Sequence, residues 1–122
     1  MNFQICDNVK LDRKKLSFEI YNKLRLLGFK TSHNGVTFIY LAILIIMSTN
    51  KDLLIIEDVY SAISKQLGNV NKSQIRRSIQ YSIDSRNKRK SEKNFERVFG
   101  YEYDQDIFTN KTFIEEITRL FN

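Results

Sequence analysis

A chain of 122 residues can build one hydrophobic core without staples and is too short for two of ordinary size. Its single cysteine, Cys6, excludes an intrachain disulfide. The N-terminus has no apolar stretch of signal-peptide length, and the longest apolar run, Val36 to Met47, falls short of the ~20 residues that cross a bilayer. The expectation is therefore a cytoplasmic protein without a membrane segment. Net charge is +6, and its location matters more than its size. Residues 72–93 carry eight Lys/Arg against Asp84 and Glu92, whereas the other 100 residues carry 12 basic and 12 acidic side chains. A compact basic segment on a neutral body is the electrostatic footprint of a polyanion binder.

Residues 1–15 are expected to form an N-terminal arm, irregular over 1–11, with Phe3 and Ile5 packing onto the body. From about Leu11 to Leu27 a helical stripe of Leu16, Ile20, Leu24 and Leu27 follows, stopped by Gly28 at a C′ position. A loop over 29–34 leads to Gly35. Residues 36–49 are apolar around most of a helical circumference, which predicts the central helix. Residues 50–54 read as a connector.

Val59, Ile63 and Leu67 recur at i, i+4 and i+8, predicting a short amphipathic helix. Gly68 and Asn69 tolerate left-handed backbone and end it. Asn71 or Ser73 can cap the next helix, in which Ile75, Ile79 and Ile83 share a face with small Ser78 and Ser82. That narrow face predicts close packing against the preceding helix, with the second helix running over about 73–88. Beyond the basic stretch 86–93, one or two turns over 94–99 are closed by Gly100, and Tyr101 to Phe108 is an acidic, aromatic loop. Thr109 or Asn110 can cap a last helix with Phe113, Ile114, Ile117, Leu120 and Phe121 on its apolar side. The predicted class is all-α, about six helices, with residues 16–122 as a single domain.

Opposite its isoleucines, at about 100° per residue, the helix at 73–88 presents Ser73, Arg77, Gln80, Tyr81, Asp84 and Lys88, with Gln74 and Arg76 on the flanks. Arg and Gln can bond bidentately to guanine and adenine edges in the major groove. Helix, tight turn and a second helix with an Arg/Gln-rich outer face is the layout of a helix-turn-helix DNA reader. An antiparallel helix pair with a solvated charged face fits the same stretch, and its pattern alone leaves both readings open. On the DNA reading, Gln74, Arg76, Arg77 and Gln80 face base edges. Lys72, Ser73, Tyr81, Lys88, Arg89, Lys90 and Lys93 hold the backbone of double-stranded DNA.

Chemistry of other kinds has little support. His33, the one histidine, lies far from Cys6 in sequence and has no third group to complete a nucleophile pair. No Cys/His spacing suits a metal. Glu102, Asp104 and Asp106 lack the glycine and terminal glutamate of a calcium loop, and no glycine-rich phosphate loop occurs. The reading is of a non-enzyme with neither metal nor cofactor.

Over residues 16–121 the chain resembles the C-terminal effector domains of the stage-zero sporulation protein A family of response regulators. The resemblance is carried by Leu27 to Gly35 with its two glycines, by Phe38-Ile39 and Ala42-Ile43, and by Val59-Tyr60 with Ile63. It continues through Ser73 to Ile79 and the closing pattern Phe99-Gly100, Thr109-Asn110, Phe113-Ile114. It implies a six-helix fold, a recognition helix at about 73–88 and binding to short promoter elements, often in tandem, which would pair two copies as a dimer. It also implies contact with the RNA polymerase sigma subunit. The family's phosphorylated receiver domain has no counterpart in these residues, so regulation by phosphorylation does not carry over. The family reads bases with Arg, Glu, Arg, Arg where this chain has Gln74, Arg76, Arg77 and Gln80, so a different preferred site is expected. Two rival readings are a receiver-less decoy or antagonist that binds sigma factor or a full-length regulator, and a general RNA or DNA binder without base readout.

Overall fold

The structure is a computed structural model that describes the backbone of residues 2–49 and 55–121, with side chains from residue 13 onward in those ranges. Among the described residues the elements are α1 (Asn2–Leu26), α2 (Asn34–Thr49), α3 (Ile56–Gln66), α4 (Lys72–Asp84), α5 (Lys88–Phe99) and α6 (Asn110–Arg119). A 3-10 turn, Gln105–Ile107, interrupts the loop before α6. No strand occurs among them, as the absence of period-2 patterning predicts.

The most apolar segment takes the centre. Gly35, Val36, Phe38, Ile39, Ala42 and Ile43 of α2 are buried, and α2 packs against α1, α3, α4 and α6. Around it close Ile20, Leu24 and Leu27, Val59 and Ile63, Ile75, Ile79 and Ile83, and Phe113, Ile114 and Ile117. A second part of the core is aromatic. Phe95 lies 4.7 Å from Phe99 and 6.0 Å from Phe108, and Phe113 bridges Phe108 to Phe29 at 5.5 and 5.0 Å. Burying each such ring is worth about 1.5–3 kcal/mol, so the loop at 101–108 contributes to stability through Ile107 and Phe108, both buried. It is less solvated than its acidic residues suggest.

Four expectations are corrected. The first helix begins at Asn2, not near Leu11. The stretch expected as an arm contains neither glycine nor proline to break it, so its backbone continues the helix. The packing expected of Phe3 and Ile5, and the connector at 50–54, lie outside the described residues.

The second correction is that α4 stops at Asp84, short of 88. Ser85 departs from helical geometry and turns its hydroxyl back onto the Tyr81 carbonyl at 2.7 Å. Asn87 then starts a new helix, its Oδ1 accepting from the Lys90 amide at 3.1 Å. Lys88, Arg89, Lys90 and Lys93 thus belong to α5, which starts well before residue 94.

Third, the small face of α4 packs more extensively on α2 than on α3. Gly35 is the reason, because a Cβ there would overlap the Ser78 carbonyl and the Ser82 hydroxyl. Only glycine lets the two helices approach this closely.

Fourth, Arg86 is not part of the basic surface. It is only 6 % exposed, donates from Nη1 to the Ile83 carbonyl at 2.8 Å and from Nε to Ser91 Oγ at 2.9 Å, and lies 3.6 Å from the centre of the Phe108 ring. Ser91 in turn donates to the Leu27 carbonyl, and Asn94 Nδ2 to that of Leu26 at 2.8 Å. The Leu26 and Leu27 carbonyls at the end of α1 are thus satisfied by α5, and those of Lys23, Leu24 and Arg25 by the turn that follows. Gly28, at φ 90°, turns the chain there, its carbonyl accepting from the Asn87 amide at 2.8 Å.

Candidate nucleic-acid interface

Helices α3 and α4 are joined by the five residues Leu67 to Asn71. Gly68 and Asn69 adopt φ of 77° and 70°, the left-handed pair the sequence predicts. Asn71 rather than Ser73 is the cap, its Oδ1 accepting from the amides of Ser73 at 2.8 Å and Gln74 at 3.3 Å. Ile75, Ile79 and Ile83 are fully buried, which fixes which side of α4 faces outward. Asn110 does not cap α6 with its side chain. Its Nδ2 donates to Tyr60 Oη of α3 and to the Arg76 carbonyl of α4, both at 3.0 Å, and so ties α6 to both helices. Burial raises the Tyr60 phenol above its ordinary pKa, with the Asn110 hydrogen bond opposing.

The residues expected to contact DNA are exposed without exception: Lys72, Ser73, Gln74, Arg76, Arg77, Gln80 and Tyr81 on α4, and Lys88, Arg89, Lys90 and Lys93 on α5. Gln80 reaches Asp84 one turn on, at 3.4 Å, which orients its amide. Among the described residues the one ion pair is Arg119–Glu116, so no carboxylate there neutralises these cations. Lys88, Arg89 and Lys90 occupy the first turn of α5, which has no acidic residue. Cations at the positive end of a helix dipole are unfavourable, by the reverse of the ~0.3–1 kcal/mol that an anion gains there. Helix stability alone therefore does not account for this arrangement.

The structure brings Gln74, Arg77 and Tyr81 together at one hollow, while Arg76 and Gln80, also exposed, do not line it. Gln74, Arg77, Ser78, Tyr81 and Ser82 form one wall of an open hollow of about 460 Å³. Ser32, His33, Asn34 and Gly35, at the start of α2, form the other. The His33 ring packs on Tyr81 at 5.5 Å, while His33 Nδ1 and Ser82 Oγ are buried without a hydrogen-bond partner. In the sequence His33 has no companion but the distant Cys6, and this wall is visible only in the fold. The available signal was a glycine and a histidine at the start of the most apolar helix.

Two helices joined by a short turn, the second with a buried isoleucine face and an exposed Arg/Gln face, define a helix-turn-helix of the DNA-binding type. Among the described residues no helix is long and apolar enough to cross a membrane. The family described as "Sporulation initiation factor Spo0A C terminal" matches residues 20–120. The chain belongs to that family, whose members are DNA-binding effector domains of sporulation regulators. No curated protein and no solved structure matches the chain.

Proposed function

We propose that the chain is a sequence-specific transcriptional regulator acting in the cytoplasm, with α4 lying in the major groove of duplex DNA. Arg77, opposite the buried isoleucines, faces the groove floor, flanked by Gln74, Arg76 and Gln80 as base-reading side chains. Lys72, Ser73, Tyr81 and the α5 cations Lys88, Arg89, Lys90 and Lys93 hold the phosphates on either side. The observation that carries this reading is the separation of labour among the basic residues. Arg86 is buried and bonded into the core, whereas the others are exposed, with no described carboxylate in ion-pair range. The family resemblance extends the proposal to paired binding on tandem elements and to contact with the sigma subunit of RNA polymerase.

Selection of bound duplexes from a random pool tests the reading. A short consensus bound far more tightly than random duplex supports it, and equal affinity for all sequences overturns it. Within the consensus, Arg77→Ala should relax one base pair by about 1–3 kcal/mol. The double change Arg76→Glu with Gln80→Arg should move preference toward the family's element, because glutamate can accept from cytosine and arginine prefers guanine. An unmoved preference would show that the assigned face of α4 is wrong.

A further inference from the structure

We propose that Asp84 is a positioning residue that sets Gln80 to read adenine and to reject guanine. This rests on the DNA-binding reading, in which Gln80 faces a base edge, and deepens it by naming the base and the reason. Asp84 acts through Gln80 and touches no base itself.

Asp84 is the one acidic residue of α4 and its last residue. It is exposed, as is Gln80, and the spacing of four puts the two on one side of the helix. Neither helix stability nor the interface accounts for a carboxylate there. An anion beside the C-terminal end of a helix dipole is disfavoured, and on a face that meets phosphates it repels the partner. Among the described residues no cation pairs with it, the one ion pair being Arg119–Glu116. It favours the charge on Arg86, but that guanidinium is held by the Ile83 carbonyl, Ser91 and Phe108. The hydrogen-bond partner of the Asp84 side chain is Gln80, whose Nε2 lies 3.5 Å from Oδ1 and 3.4 Å from Oδ2.

The direction of that bond decides what Gln80 can read. An ionised carboxylate accepts hydrogen bonds and donates none, so the amide turns its NH2 end toward Asp84. One N–H and the Oε1 acceptor remain for a base. In the major groove adenine offers an acceptor, N7, beside a donor, N6, and the remaining pair matches both. Guanine offers two acceptors, N7 and O6. To hold both, the amide would need the N–H already given to Asp84, or would set Oε1 against O6. Without Asp84 the amide turns freely and serves either purine. A Gln–Asp pair at this spacing also steadies a helix slightly, so base preference, not melting alone, is the deciding measurement.

The test selects bound duplexes from a random pool with the full chain and its variants. The base pair at which Gln80→Ala flattens the preference is the one that Gln80 reads. In the parent that pair should favour adenine over guanine by roughly 5- to 150-fold, the range for one bidentate contact. Asp84→Ala should bring the two purines close to equal at that pair alone, while random duplex binds more tightly because a negative charge has left the interface. In a Gln80→Ala background, Asp84→Ala should change no base preference. An adenine preference that survives Asp84→Ala overturns the proposal, whatever happens to the melting temperature. A change of preference that Asp84→Ala also makes in the Gln80→Ala background overturns it too, because Asp84 would then read a base itself. Asp84 is exposed, so these variants are expected to fold. A consensus with no base pair that depends on Gln80 brings down this proposal and leaves the wider reading standing, whereas failure to select any duplex brings down both.

Discussion

Replacing Arg86 separates the fold from the interface more sharply than any other single change. Its guanidinium makes two hydrogen bonds, to the Ile83 carbonyl and Ser91 Oγ, and stacks on Phe108. Burial lowers its pKa from the ordinary value, with Tyr103 and Asp84 opposing, and a guanidinium stays charged at neutral pH regardless. Arg86→Ala removes both bonds, leaves the Ile83 carbonyl with only its weak backbone partners and deletes a desolvated cation–π contact of about 2 kcal/mol. Hydrogen bonds from a charged donor add roughly 1.5–3 kcal/mol each, and relief of the buried charge gives part of this back. The net expectation is a loss of about 3–5 kcal/mol, or a melting temperature lower by roughly 15–25 °C for a domain of this size. Arg86→Lys keeps the charge without the planar fork and should recover little. Stability is read by urea and thermal denaturation, and DNA affinity as a function of salt at a temperature where the variant is folded. The salt dependence should match that of the parent. A variant that melts like the parent but binds DNA with a flatter salt dependence would place Arg86 on the DNA and refute the reasoning.

The α5 cations should behave in the opposite way. Changing Lys88, Arg89 and Lys90 to Ala should weaken specific and random duplex about equally and flatten the log K against log salt slope by roughly 0.9 for each phosphate no longer neutralised, with the melting temperature held or raised; an unchanged slope refutes the phosphate role. Ile79 is fully buried, so Ile79→Asp should cost several kcal/mol, and parental melting would show the α3–α4 pair to be wrongly placed. The Tyr101 phenol is pushed up to about 12, by burial first and then by its hydrogen bond to Glu116. A raised pKa favours the protonated phenol in the fold, so its contribution is complete below the unfolded pKa near 10. It is lost as pH rises through about 12. The stability difference between parent and Tyr101→Phe should therefore shrink across that window, and a constant difference would refute the linkage.

Much of this was legible in the sequence because the signals were local. The stripes at Ile20, Leu24 and Leu27 and at Ile75, Ile79 and Ile83 announced their helices, Gly68-Asn69 their turn, and Asn71 its cap. What was not legible depended on partners distant in sequence. Nothing around Arg86 distinguishes it from Arg89 until Phe108 and Ser91 fold against it. Ser78 and Ser82 declared a narrow face, but that Gly35 of α2 would occupy it, and not α3, is a tertiary choice. Asn110 looked like a cap because caps are local, and it became a brace because Tyr60 and the Arg76 carbonyl came within its reach. The His33 wall was illegible for the same reason, since the hollow has no second wall until α2 and α4 meet.

The contact at Gly35 joins the first turn of α2 to the middle of α4 with no room for even one extra carbon. The Arg77 end of α4 and the His33 end of α2 are therefore two marks on a rigid ruler. On the DNA-binding proposal, a duplex that touched both ends would be set in rotation and in translation before any base is inspected. Gln74, Arg76 and Gln80 are exposed on α4 and take no part in the contact at Gly35. On that proposal, exchanging them would leave α4 fixed against α2, so that sequence preference would change while docking geometry stayed the same.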